Sequence, residues 1–176
     1  MQIRFYSFFL FLFFLNINAQ VSGKFYPVFR VVDGDTFVIL AENNTKLKIR
    51  FIGIDAPESR NVGKKKRVEI FGIEAKAHLQ KYLSRKKVRL EFDIQKVDRY
   101  GRTLAYVYLE NGVFVNNDLV KKGYARVATF PPNVKLVHQF RKAEAKARAN
   151  KLGLWKHYWI KSANISELLA RKIDPV

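Results

Sequence analysis

Asp33-Gly34-Asp35 and Asp55-Ala56-Pro57-Glu58 gather four carboxylates into two clusters, and Arg50 and Arg102 add two guanidiniums. In a chain this basic, grouped carboxylates call for an explanation. Two carboxylates with a backbone carbonyl and water form a hard-oxygen site that suits Ca²⁺. A guanidinium is a planar fork that matches phosphate oxygens and stays charged at any working pH. With Ca²⁺ in place, Asp35, Asp55, Glu58, Arg50 and Arg102 leave a single net positive charge, the complement of one phosphodiester. Its hydrolysis passes through a pentavalent state richer in negative charge, which a metal ion and fixed arginines stabilise. A carboxylate not engaged by the metal can orient or deprotonate water. Taken alone, Asp-Gly-Asp reads as a turn, and either arginine as a solvated surface charge. It is the combination that points to chemistry.

The composition narrows the classes. The sequence has 176 residues, is 48% hydrophobic and 27% charged, and carries a net charge of +18. Such a chain forms one globular domain and seeks a polyanionic partner. It has no cysteine, which excludes disulfides, thiolate zinc sites and a cysteine nucleophile. Its three histidines, His78, His138 and His157, are too scattered in sequence to suggest a metal cluster. Residues 1–19 read as an export signal: a basic start at Arg4, an apolar run over 5–15 and small Ala19 at the expected cut. That run is about half the ~20 residues of a membrane span. The expected plan is a signal peptide over 1–19, a domain over 24–157 and a tail over 158–176.

The elements that must position these groups follow from periodicity. Strands are predicted over 25–32 and 36–41, joined at the Asp33-Gly34-Asp35 turn. In the next strand Leu47, Ile49 and Phe51 alternate with Lys46, Lys48 and Arg50, which places Arg50 on the face opposite its neighbours. Residues 59–68 form a basic loop containing Lys64, Lys65, Lys66 and Arg67. A helix follows over about 72–84. Val88, Leu90, Phe92 and Ile94 alternate as the cleanest strand, and 104–109 fits a central one. Short and long helices follow over 116–122 and 134–151, the latter with a stripe of Leu136, Phe140, Ala143 and Ala147. One more amphipathic turn is expected around 166–173, and Trp155 and Trp159 read as core packing. Five short strands avoid bare edges by closing into a barrel. The expected fold is therefore α+β: a five-stranded OB-fold barrel with three packed helices, a class that commonly binds nucleic acid.

Three ordered segments carry a family resemblance. Val32-Asp33-Gly34-Asp35-Thr36, Arg50-Phe51-Ile52-Gly53-Ile54-Asp55-Ala56-Pro57-Glu58, and Asp98-Arg99-Tyr100-Gly101-Arg102 with Leu104-Ala105-Tyr106 resemble the signatures of the staphylococcal (micrococcal) nucleases, or thermonucleases. The similarity runs from about residue 28 to 155. It implies a Ca²⁺-dependent phosphodiesterase acting on DNA and RNA, in which water attacks, the 5′-oxygen leaves and products end in 3′-phosphate. It also implies that Asp35, Asp55 and the carbonyl of Ala56 hold the metal. Glu58 resembles the residue that positions or deprotonates the water, and Arg50 and Arg102 resemble the phosphate clamp. Arg99 and Tyr100 fall where the family contacts a terminal phosphate. One departure is plain: where the family type protein has tyrosines against the nucleotide, this chain has Thr129, Phe130, Pro131 and Pro132, so base stacking would pass to Phe130.

The expected protein is a secreted or periplasmic monomer with nucleic acid as its substrate, no stable protein partner and no membrane contact once mature. Two other classes compete. A non-catalytic OB-fold module binding nucleic acid would have lost acidic site residues, and here Asp35, Asp55 and Glu58 are present. A cationic protein acting on membranes or anionic glycans would need a basic helix with a broad apolar face, and the 134–151 stripe is narrow.

Overall fold

A computed structural model of the chain describes residues 23–60 and 68–173, with the backbone alone for 164–173. The expected signal over 1–19 and the Lys64–Arg67 run lie outside the described residues. The strands are β1 (Phe25–Asp33), β2 (Thr36–Leu40), β3 (Lys46–Phe51), β4 (Ile54–Asp55), β5 (Lys87–Glu91), β6 (Thr103–Leu109) and β7 (Arg126–Val127). The helices are α1 (Gly72–Leu83), α2 (Val115–Lys121), α3 (Val137–Ala149) and α4 (Leu154–Ile173). Five strands close a barrel in the order β1-β2-β3-β6-β5, while β4 and β7 pair separately. The expected barrel is present, with four helices rather than three.

The alternation of β2 and β3 fills the barrel. Phe37 pairs with Ile49 across the two strands, and Phe37, Ile39, Ile49 and Phe51 all point into the core. The Phe37 and Phe51 rings lie 5.2 Å apart. Val88, Ala105 and Val107 close the other side. β3 and β6 meet as a parallel pair, with Arg50 opposite Leu104. Fully buried Asn116 of α2 secures this junction. Its side-chain amide donates to the Ile52 carbonyl at 2.9 Å, and its oxygen accepts from the Val107 N–H at 2.9 Å. Ala75, Leu79 and Leu83 of α1, Leu119 and Val120 of α2, and Phe140 and Ala143 of α3 complete one core.

Four expectations need correction. The strand expected over 88–94 stops at Glu91, and Phe92 and Ile94 are 43% and 73% exposed. Asp93 turns the chain there: its carboxylate accepts from the Ile94 N–H at 2.9 Å and from the Tyr106 hydroxyl at 2.9 Å. The helix expected to start at 134 begins at Val137, after Leu136 at φ −111° and ψ 12°, and the preceding segment is tied down by the Lys135 N–H, which donates to Asp93 at 3.3 Å. The single turn expected near 166–173 is part of a 20-residue helix that starts at Leu154. There the Leu154 N–H donates to the Gly123 carbonyl at 2.9 Å and anchors the new helix to the end of α2. Trp159, expected in the core, is 50% exposed.

α1 also carries a pH-sensitive contact. His78 stacks on Tyr124 with ring centroids 3.7 Å apart. Burial, and next the charge of Lys122, push its imidazole below the ordinary value of 6.5, against the pull of Asp118. The unfolded chain therefore takes up this proton first as the pH falls. The contribution is intact above pH 6.5 and declines below it. His78→Phe is expected to flatten the dependence of Tm on pH between about 7 and 5. Parallel Tm curves for variant and parent would refute this.

Candidate active site

Asp35 stands where β1 turns into β2. The turn approaches Ala56 so closely that a Cβ on Gly34 would lie 2.7 Å from that of Ala56, which explains the glycine in Asp-Gly-Asp. Asp35 accepts from the Ala56 N–H at 3.0 Å and from the Thr36 hydroxyl at 2.8 Å. Asp33 accepts from the N–H groups of Gly34 and Ser59 at 2.8 and 3.3 Å, so it braces the turn.

Arg50 leaves β3 on its outer face, as the alternation requires, yet it is only 9% exposed. Two carboxylates cover it. One guanidinium nitrogen lies 2.5 Å from Asp35 and the other 2.9 Å from Asp55. Burial pushes the Asp35 carboxyl above its ordinary range, opposed by the Arg50 charge and the Ala56 N–H. Asp55, on β4, is shared: its second oxygen receives Arg126 of β7 at 2.9 and 3.1 Å, and Arg126 reaches on to Glu69 at 3.4 Å.

Arg102 is fixed by a turn of its own. Asp98 accepts from the N–H groups of Tyr100 and Arg102 at 2.8 and 2.9 Å and from Arg102 Nε at 2.7 Å. Burial pushes the Asp98 carboxyl up, but these donors outweigh it and hold it below its ordinary range. Nearby, Asn133 and Gln95 exchange two hydrogen bonds of 2.8 Å, which tie the segment after Phe130 to the one before Asp98.

These elements enclose a cleft of about 510 Å³. Asp35, Arg50, Asp55, Glu58 and Arg102 line it, as do Arg99, Tyr100 and Phe130. Every expected site residue except Ala56 therefore faces one space. Ala56 is buried beneath it, in contact with Asp35 through its N–H. Tyr100 and Phe130 are exposed aromatics on the wall of the cleft. Glu58 is half-buried, and its carbonyl accepts from the Glu69 N–H at 2.9 Å, which secures the backbone that carries it.

The model of the staphylococcal nuclease homologue family matches residues 48–157. The chain belongs to that family. It is 40% identical over 140 residues to a thermonuclease of Staphylococcus hyicus, covering 80% of this chain and 78% of that one. It is 38% identical over 142 residues to a thermonuclease of Staphylococcus intermedius, covering 81% and 82%. Endonuclease YncB of Bacillus subtilis is 38% identical over 128 residues, which covers 72% of this chain and 59% of that relative. The class is that of the nucleases.

Sequence reasoning gave no role to three residues at or beside this cleft. Arg126 binds Asp55 through the two-residue β4–β7 pair, which is too short to show any periodicity. Asn133 lies behind two prolines, and no spacing marks it. Asp98 did leave a signal: an aspartate at the head of a Tyr-Gly turn accepts from the backbone that follows.

The residues present fit a divalent cation. Asp35 and Asp55 already converge on one positive group, the Arg50 guanidinium. Buried Asp35 gains from further positive charge, and the donors are hard oxygens. Among the described residues no three His, Cys, Asp or Glu side chains gather into a metal site, so a cation here would rest on the two carboxylates with backbone oxygen and water.

Proposed function

We propose that this chain is an exported, Ca²⁺-dependent nuclease that hydrolyses phosphodiester bonds of DNA and RNA and leaves 3′-phosphate ends. The observation that carries this reading is the convergence of Asp35 and Asp55 on Arg50 in the cleft that Arg102 and Glu58 also line. Arg50 and Arg102 grip the scissile phosphate and neutralise the charge that grows on its oxygens. Glu58 holds the attacking water by its carboxylate and accepts its proton as the new P–O bond forms. The bond to the 5′-oxygen breaks, and Arg102 balances the charge left on that atom. Ca²⁺ held by Asp35, Asp55 and the Ala56 carbonyl would supply Lewis-acid stabilisation of the same phosphoryl group. Arg99 and Tyr100 take a neighbouring phosphate, and Phe130 stacks on a base.

The cleft holds charges and ring faces, which bind phosphates and any base alike; hence both DNA and RNA serve as substrates. Export rests on residues 1–19, with a monomeric nuclease domain over 24–157. Among the described residues no helix is long and apolar enough to cross a membrane.

The test is incubation of the purified protein with plasmid, single-stranded DNA and RNA. All three are expected to be degraded with Ca²⁺, and Mg²⁺ to support little activity because it demands tighter octahedral geometry. Excess chelator should abolish cleavage. Full activity in chelator would sink the metal assignment, and binding without cleavage would favour the non-catalytic OB-fold module.

A further inference from the structure

The sequence contains two tryptophans, Trp155 and Trp159, and both lie in the first two turns of α4. Neither is spent on the core. Trp159 and Tyr158 are about half exposed, at 50% and 49%. Together with Arg126, Arg148, Trp155 and Ser162 they line a groove of about 570 Å³. Cations sit against the rings: the Arg148 guanidinium lies 4.0 Å from the Trp155 centroid, and the Lys151 ammonium 3.5 Å from that of Trp159. Trp155 Nε1 is a buried donor with no hydrogen-bond partner among the described residues. Residues 154–163 add Lys156 and Lys161 and contain no carboxylate.

Arg126 links this groove to the catalytic cleft through Asp55. It lines the groove while its Nε and Nη2 hold Asp55. A guanidinium has five N–H donors, so those bonds leave capacity for a further acceptor. The family match ends at residue 157, so Tyr158, Trp159 and Ser162 lie beyond it.

We propose that this groove is a second binding surface for single-stranded nucleic acid, on which unpaired bases of a strand held in the cleft stack against Trp159 and Tyr158. The proposal rests on the nuclease reading of the cleft. Half-exposed rings flanked by fixed cations match a ligand that alternates planar bases with phosphates. A helix lying in a membrane interface would offer a convex apolar side. Here the rings share an open, shallow groove with two guanidiniums, and one of these, Arg126, also holds Asp55 of the cleft.

Both tryptophans lie in the groove, so intrinsic fluorescence reports on it directly. The purified protein is titrated in Ca²⁺ buffer with hydrolysis-resistant phosphorothioate oligothymidylates. A twelve-nucleotide strand is expected to quench the emission and to bind about tenfold or more tightly than a dinucleotide, which fills the cleft alone. A Tyr158→Ala/Trp159→Ala variant should lose that length advantage, and Trp159→Phe should retain it. Plasmid cleavage by the same preparation is measured alongside. Cleavage without a length advantage or quenching overturns the groove and leaves the nuclease reading standing. Quenching and a length advantage without cleavage overturn the nuclease reading and leave the groove a nucleic-acid site. A blue shift with phosphatidylserine vesicles and no response to the strand would assign α4 to a membrane and overturn the proposal.

Discussion

Glu58→Gln and Arg102→Ala, made one at a time, are expected to lower kcat by about 10²–10⁴. Glu58→Gln keeps the shape of the side chain and removes the carboxylate proposed to hold and deprotonate the water. Arg102→Ala removes one of the two guanidiniums proposed to grip the phosphate, the one proposed to balance the charge left on the 5′-oxygen. Neither change should unfold the protein. The Arg102–Asp98 ion pair is partly exposed, and such pairs contribute about 1 kcal/mol or less. The turn around it survives on the two backbone N–H bonds to Asp98. Steady-state kinetics on single-stranded DNA at saturating Ca²⁺, with a thermal melt of each variant, separates chemistry from folding. A folded variant with the parent kcat would refute the role given to that residue.

Phe140→Ala is expected to be the most damaging single change to stability, at about 3–5 kcal/mol. Domains of this kind are held by about 5–15 kcal/mol in total. Phe140 is fully buried on α3 and packs against Tyr106 and Phe114, with ring centroids 6.3 and 5.7 Å away. It also presses on the backbone that leads to Asp55. A Cβ on Gly53 would lie 2.4 Å from the Phe140 ring, and Gly53 has φ +78°, a conformation other residues rarely adopt. The cavity would therefore open directly beneath β4. Denaturant unfolding should show a lower midpoint with little change in slope. A loss below about 1 kcal/mol would mean that the neighbours collapse into the space.

The barrel strands that carry the site were legible because each hides one face. Leu47, Ile49 and Phe51 could be read as alternating with Lys46, Lys48 and Arg50, so the outward direction of Arg50 followed from the pleat. Its burial did not follow, since Asp35 and Asp55 reach it from elsewhere in the chain. The same alternation misled at Phe92 and Ile94, because a period of two says nothing about whether a partner strand remains. Arg126 was invisible, since a strand of two residues has no pattern. α4 was read only in its second half, as a turn near 166–173, because the two tryptophans of its first turns read as core packing whereas Tyr158, Trp159 and Ile160 are exposed.

The parallel β3–β6 pair ties the onset of activity to the order in which the chain can assemble. Residues 52–102 separate the two strands, so their meeting carries the loop-closure entropy of a long excursion. The hairpins β1–β2–β3 and β5–β6 are local by comparison and can form without it. Arg50 lies in β3 and Arg102 one residue ahead of β6, so the two guanidiniums face each other only once that seam has zipped. A partly assembled or locally opened chain holds each arginine on a separate hairpin and has no clamp. Catalytic competence thereby becomes a reporter of complete closure, and a proteolytic nick between the two strands should silence the enzyme before it melts the hairpins.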